Sequence, residues 1–135
     1  MKNKRTVLLV EDDRVDQMTV KRAFKDAKIT NRLDLAENGL EALDLLRSDA
    51  DVPCLILLDL NMPKMNGIEF LQELRKDEKL RHLPVVVFTT SREESDKIES
   101  FKLNVAGYMI KPVDYHQFVE TIRTIDLYWT LSEMP

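Results

Sequence analysis

Leu55 through Leu58 form an unbroken apolar run that stops abruptly at Asp59, and the turn signal Asn61-Met62-Pro63 follows almost at once. Apolar residues without alternation suit a strand buried on both faces, as in a parallel sheet covered by helices. Strands of this kind deliver functional groups at their carboxyl ends, where the loops of an open α/β sheet gather. Asp59 is then expected at the rim, with apolar strand behind it and solvent ahead. Cys54 begins the run and reads as a small core residue rather than a reactive thiol.

The rest of the chain repeats the alternation of strand and helix. Thr6 to Val10 reads as a first buried strand, closed by the acids Glu11, Asp12 and Asp13. Val20, Ala23, Phe24 and Ala27 share one face of a first helix. Leu33 to Ala36 alternates like a half-exposed strand, and Asn38 with Glu41 opens a second helix lined by Ala42, Leu43 and Leu46. Phe70, Leu71 and Leu74 mark a third helix. Val85 to Phe88 is an almost purely β-branched fourth strand. Ser91 to Glu94 has a capping-box pattern, which predicts a fourth helix with Ile98, Phe101 and Val105 inward. Gly107 to Ile110 is a short fifth strand. Asp114 caps a last helix whose inner stripe is Phe118, Ile122, Ile125 and Trp129.

Five βα units in series predict an α/β fold: a doubly wound five-stranded parallel sheet with helices on both faces. The 135 residues suit one domain, with a core at about 5–126 and residues 127–135 extending the last helix. A net charge of -4 gives no general pull towards nucleic acid or anionic membranes. One cysteine excludes an internal disulfide framework and cannot alone make a zinc site. The basic start Met1 to Arg5 leads into an apolar stretch too short for a signal peptide or a membrane span. A cytoplasmic protein with neither nucleic acid nor membrane as partner is expected.

In the strand order 2-1-3-4-5, known from flavodoxin-like sheets, the first and third strands are neighbours. Glu11, Asp12 and Asp59 then converge at one rim. Three close carboxylates repel, which raises a pKa or demands a cation, and an oxygen-only cluster suits Mg²⁺. Thr89 ends the fourth strand and Lys111 the fifth at the same rim. Three carboxylates, one divalent cation and one ammonium sum to no formal charge, so the site admits an incoming phosphoryl group. Cation and ammonium would stabilise the charge in transfer. Asp59, ionised at neutral pH, would attack as the nucleophile and form an aspartyl phosphate.

Together these residues resemble the receiver domain of bacterial two-component response regulators. The resemblance rests on Glu11-Asp12, Asp59 with Met62-Pro63, Thr89, Lys111-Pro112 and the stretch Ala36 to Leu43, and it covers residues 5 to about 126. It implies that Asp12 binds Mg²⁺ directly, Glu11 largely through water, and the Asn61 main-chain carbonyl as a further ligand. It makes Asp59 the phosphoacceptor, Thr89 the switch hydroxyl, Lys111 the phosphate-pairing base and Tyr108 the rotating aromatic, with a cis Lys111–Pro112 bond. Val10 to Asp16 and the close Tyr128-Trp129 with Met134-Pro135 are similar to the stand-alone regulators of bacterial phytochrome-type histidine kinases. Asp13 stands where that group commonly has Asn, and it reads as the cap of the first helix.

The resemblance implies a phosphoacceptor switch rather than an enzyme, although receivers assist their own phosphorylation and dephosphorylation. A sensor histidine kinase would load Asp59, Thr89 would move inward, and Tyr108 would follow. The face made by the fourth helix, fifth strand and fifth helix would then change partner. The chain ends at Pro135, so output is expected through protein contacts, with a downstream target or a phosphotransfer protein. Leu127, Tyr128 and Leu131 point away from the inner stripe of the last helix. With Phe101 they are interface candidates, and a homodimer is expected. An aspartate-nucleophile phosphatase is the enzyme alternative, but Asn61 stands where that class places its second acid. A flavodoxin-like cofactor binder is disfavoured, because the acidic rim would repel a phosphate lacking Mg²⁺.

Overall fold

A computed structural model describes residues 6–48 and 52–131, with side chains as far as residue 129. Strands and helices alternate without exception. They are β1 (Val7–Val10), α1 (Arg14–Asp26), β2 (Leu33–Ala36), α2 (Gly39–Arg47), β3 (Leu55–Leu58), α3 (Gly67–Lys76), β4 (Val85–Thr89), α4 (Glu94–Lys102), β5 (Gly107–Ile110) and α5 (Tyr115–Leu131). The strands form one sheet of order β2-β1-β3-β4-β5, and every neighbouring pair is parallel.

The apolar strands divide their side chains between two cores by simple alternation. Leu8, Val10, Ile56, Leu58, Val85 and Val87 face Ala42, Leu43 and Leu46 of α2 and Phe70, Leu71 and Leu74 of α3. Val7, Leu9, Leu55, Leu57, Val86 and Phe88 face Val20, Ala23 and Phe24 of α1 and the Phe118-Ile122-Ile125-Trp129 stripe of α5. Every residue of β1, β3 and β4 is therefore buried, whereas every residue of β5 is half-exposed. Helix starts are set by short polar residues. The Asp13 carboxylate accepts the Val15 and Asp16 N–H groups, which confirms it as a cap. Asn66 and Glu69 form a reciprocal capping box at α3, and the Asp114 carboxylate accepts the Gln117 N–H.

The structure corrects four expectations. Helix α4 does not bury Ile98 and Phe101, which are 47% and 50% exposed, and Val105 is buried beyond the helix end. The single buried residue of α4 is Ser100, whose hydroxyl donates back to the Asp96 carbonyl at 2.7 Å. Ser91 is not its cap: α4 begins later, at an N-cap Glu93 that makes no side-chain capping bond, while the Ser91 hydroxyl accepts the Glu93 N–H at 3.3 Å and donates to the Asp96 carboxylate at 2.6 Å. Cys54 lies just before β3 and is half-buried against the α1–α5 core rather than enclosed. The Lys111–Pro112 bond is trans, the form an X–Pro bond favours by about 0.5–1 kcal/mol, as no described peptide bond is cis.

Candidate functional site

The register of the sheet assembles the site. Val10 lies level with Leu58, so the residues that follow, Glu11 and Asp59, leave the sheet side by side. The Asp59 N–H donates to the Val10 carbonyl at 3.0 Å, and the Glu11 N–H to the Ala36 carbonyl at 2.9 Å. From α1, the Gln17 amide donates to the Glu11 carbonyl at 2.7 Å and pins the end of β1. Behind Asp59 the start of α3 presses close. A Cβ on Gly67 would lie 2.7 Å from the Asp59 carbonyl oxygen and 2.7 Å from the Leu60 Cα, so only glycine allows this approach.

Glu11, Asp12 and Asp59 each offer a carboxylate oxygen within 4.8 Å of the others. Glu11 and Asp59 are buried, while Asp12 is exposed and lines an open cavity of about 460 Å³ with Asn61, Met62 and Asp96. An oxygen-only set with one face open to water fits a hard cation such as Mg²⁺, which retains several water ligands. Burial pushes the Glu11 carboxyl above the usual carboxylate range, and the Asp59 charge adds to the rise. The Lys111 hydrogen bond and charge, with the Asp13 N–H, oppose it.

Lys111 follows β5, and its N–H donates to the Thr89 carbonyl at 2.8 Å. Its ammonium is buried among three carboxylates. It pairs most closely with Glu11, lies 2.9 Å from Asp16 Oδ2, and lies 3.4 Å from Asp59 Oδ2. Burial works against the charged amine, but the bonds and charges of Glu11, Asp59 and Asp16 outweigh it and hold the Lys111 pKa above its ordinary value. The sequence reading missed Asp16. Its position in the first turn of α1 gave it an ordinary explanation as an acid facing the positive helix end, and nothing local signalled a lysine 95 residues away.

Thr89 is fully buried at the end of β4. Its hydroxyl oxygen accepts the Ser91 N–H at 3.2 Å, and the Tyr108 hydroxyl donates to the Ser91 carbonyl at 3.0 Å. One residue thus connects both expected switch side chains, and through its own hydroxyl it reaches Asp96 of α4. Tyr108 is half-buried, packed partly against the α2–α3 core. Burial pushes its phenol pKa up, with the Asp96, Asp59 and Glu93 charges adding and the Ser91 bond opposing. Leu127 and Tyr128 are exposed, 55% and 60%, on the outer side of α5, as their spacing implied. The side chain of Leu131 lies outside the described residues.

A family model described as the response regulator receiver domain matches residues 7–123. The chain belongs to the response regulator receiver family. Among relatives of this receiver, the probable methanogenesis regulatory protein FilR2 of Methanothrix harundinacea is 37% identical over 127 residues, covering 91% of this chain and 82% of the relative. Response regulator Rcp1 of Synechocystis sp. is 35% identical over 130 residues, 93% and 88% of the two chains. A crystal structure of the Mn²⁺-bound form of Rcp1 matches with a TM-score of 0.88 at 34% identity, over 97% of this chain and 99% of that one. The phosphorylated cyanobacterial phytochrome response regulator RcpA gives a TM-score of 0.89 at 32% identity, over 96% of each chain. Receiver domains are phosphoacceptor switches of two-component systems, and both phosphorylation and Mg²⁺ binding are typical of them. Among the described residues of this receiver, no helix is long and apolar enough to cross a membrane.

Proposed function

We propose that this receiver accepts a phosphoryl group on Asp59 from a sensor histidine kinase in the cytoplasm and signals through the face formed by α4, β5 and α5. The convergence of the Glu11, Asp12 and Asp59 carboxylates, with the Lys111 ammonium against them, carries the reading. An Asp59 oxygen attacks phosphorus, the bond from phosphorus to the donor nitrogen breaks, and the electron pair leaves with the imidazole, which takes up a proton. Glu11, Asp12, Asp59 and the Asn61 carbonyl would hold Mg²⁺, which when bound supplies positive charge against the transferring oxygens. Lys111 pairs with a phosphoryl oxygen as it arrives. The likeness to RcpA, a phytochrome response regulator by its title, supports a phytochrome-type kinase as donor.

The Thr89 hydroxyl then turns to the phosphoryl group. Its movement acts on Ser91, whose carbonyl holds Tyr108 and whose hydroxyl holds Asp96, so β5 and the start of α4 repack together. Downstream, the altered face engages a target or phosphotransfer protein. Exposed Leu127 and Tyr128 on α5, with Phe101 on α4, support a second copy of the chain as a further partner.

Acetyl phosphate with Mg²⁺ adds one phosphoryl mass to the wild type and none to Asp59→Asn, read by intact-protein mass spectrometry. Equal labelling of both proteins would remove Asp59 from its role, and full labelling in the presence of a chelator would remove the metal from the mechanism. Sedimentation of the same samples reads self-association, and a monomer in both states would reject the homodimer.

A further inference from the structure

Lys111 has more anionic partners than the reaction requires. Glu11 and Asp59 both belong to the acidic rim, but Asp16 comes from a different element, the first turn of α1. Its backbone is fixed by the Asp13 cap, which accepts the Asp16 N–H at 3.1 Å. Its carboxylate reaches the ammonium at 2.9 Å, whereas Asp59 lies at 3.4 Å, the longest of the three contacts. The pair is not an ordinary surface contact, since the Lys111 side chain is 7% exposed. Yet Asp16 is 34% exposed and lies outside the group of three acids that could share a cation. Its charge makes the rim one unit more negative than the neutral count of three acids, cation and ammonium. An added anion opposes a phosphoryl group, so its place there calls for another explanation.

Position supplies one. Without Asp16, the ammonium has only Glu11 and Asp59 to approach. The Asp59 oxygens that it would then occupy are those needed for the cation and for attack on phosphorus. We propose that Asp16 is a positioning residue that draws the Lys111 ammonium towards α1, keeping it near Asp59 while leaving the Asp59 carboxylate open to metal and phosphoryl group. The proposal rests on the phosphoacceptor reading of Asp59.

The bland alternative is that Asp16 merely favours the start of α1, a role that would alter thermal stability and leave the rim unchanged. Mg²⁺ binding measured by calorimetry separates the two. Asp16→Ala cannot reach Lys111, so the ammonium would compete with the cation for Asp59, and Mg²⁺ binding is expected to weaken about tenfold, the low end for loss of an outer-shell partner of a metal site. Asp16→Asn removes the same charge but keeps an oxygen that accepts from the ammonium, and it is expected to stay within about threefold of the wild type. Asp16→Ser, also too short to reach, repeats the alanine result should that variant fail to fold. In selectively ¹³C-labelled lysine spectra, the Lys111 side-chain signal, assigned by its absence in Lys111→Arg, shifts in the alanine and serine variants and holds in the asparagine variant. Equal weakening in Asn and Ala would mark a through-space charge effect and overturn the proposal. Unchanged Mg²⁺ affinity in Ala and Ser would overturn it too. Wild-type labelling from acetyl phosphate is measured alongside. Its absence would reject the phosphoacceptor reading itself, whereas normal labelling with unaltered Asp16 variants would reject only the tether.

Discussion

The rim that carries Asp59 and the face that carries Tyr108 belong to the same sheet but are held in different ways. Strands β1 and β3 are buried on both sides, and the charges at their ends are locked to Lys111 by close ion pairs. Strand β5 is half-exposed along its length, and α4 buries only Ser100 while Ile98 and Phe101 face solvent. What holds the start of α4 is a few polar bonds centred on Ser91. At its far end Arg75 of α3 takes over, donating to the Leu103, Asn104, Arg81 and Leu83 carbonyls at 2.7–3.0 Å. The contrast suits the two tasks proposed for these regions. In-line attack needs fixed oxygens, whereas a reporting face needs two packings that differ by only a few kcal/mol.

Lys111→Met strikes the fixed region and has the largest expected effect. It leaves Glu11 buried without its cation, which costs about 3 kcal/mol in urea unfolding without metal, in the range for breaking a buried pair. Added Mg²⁺ recovers part of the loss, because it binds the folded state and no ammonium now competes for the carboxylates. The pH dependence has a definite sign. Burial raises the folded pKa of Glu11 above its unfolded value, and removing Lys111 takes away the largest opposing influence. The folded state therefore holds the proton more tightly, and its advantage is fully present below the unfolded pKa and lost as pH rises through the folded value. The metal-free variant should thus be least stable, relative to the wild type, at neutral pH and above. A flat difference between pH 4 and 8 would mean that Glu11 is better solvated than its 1% exposure indicates.

Arg75→Met tests the join between the two regions. The guanidinium is half-buried, and burial lowers its pKa, with no carboxylate among its bonded partners. Losing charge-assisted bonds to four carbonyls is expected to cost about 2 kcal/mol by urea unfolding. Arg75→Lys should recover little of that, since one ammonium cannot match the fork that spans both loops. Phosphoryl uptake at Asp59 should stay intact. If uptake fell with stability, the rim and the α4 face would not be separable.

The same division governs what was legible in the sequence. Val7 to Val10, Leu55 to Leu58 and Val85 to Phe88 announce themselves, because a strand enclosed on both faces needs no alternation and little else of that length is so apolar. Their ends then locate Glu11, Asp59 and Thr89, and the parallel order brings these together. Helix α4 misled because Ile98 and Phe101 have the spacing of an inner face, while the residue that packs inward is Ser100, its hydroxyl satisfied by the Asp96 carbonyl. Periodicity marks this helix but cannot assign the inner face of one whose packing is slight. Asp16 was hidden for a different reason: its role depends on a partner on the opposite side of the sequence, and its local setting already explained it.

The smallest predicted effect lies on the α4 face itself. Tyr108→Phe keeps the ring packed against the α2–α3 core and removes only the bond to the Ser91 carbonyl. A single neutral hydrogen bond of this kind contributes about 1 kcal/mol, so urea unfolding should show a loss of that size or less. Hydrogen exchange should locate it. Amides from Ser91 through Lys102 should exchange faster, because the released Ser91 also carries the bonds to Thr89 and Asp96. Amides of β1 and β3, enclosed by both cores, should be unaffected by the missing hydroxyl. Faster exchange spread evenly over the sheet would instead make the α4 face as cooperative with the core as the rim is. Acceleration confined to Ser91 through Lys102 would show that the two regions open separately, as a switch read from its outer face requires.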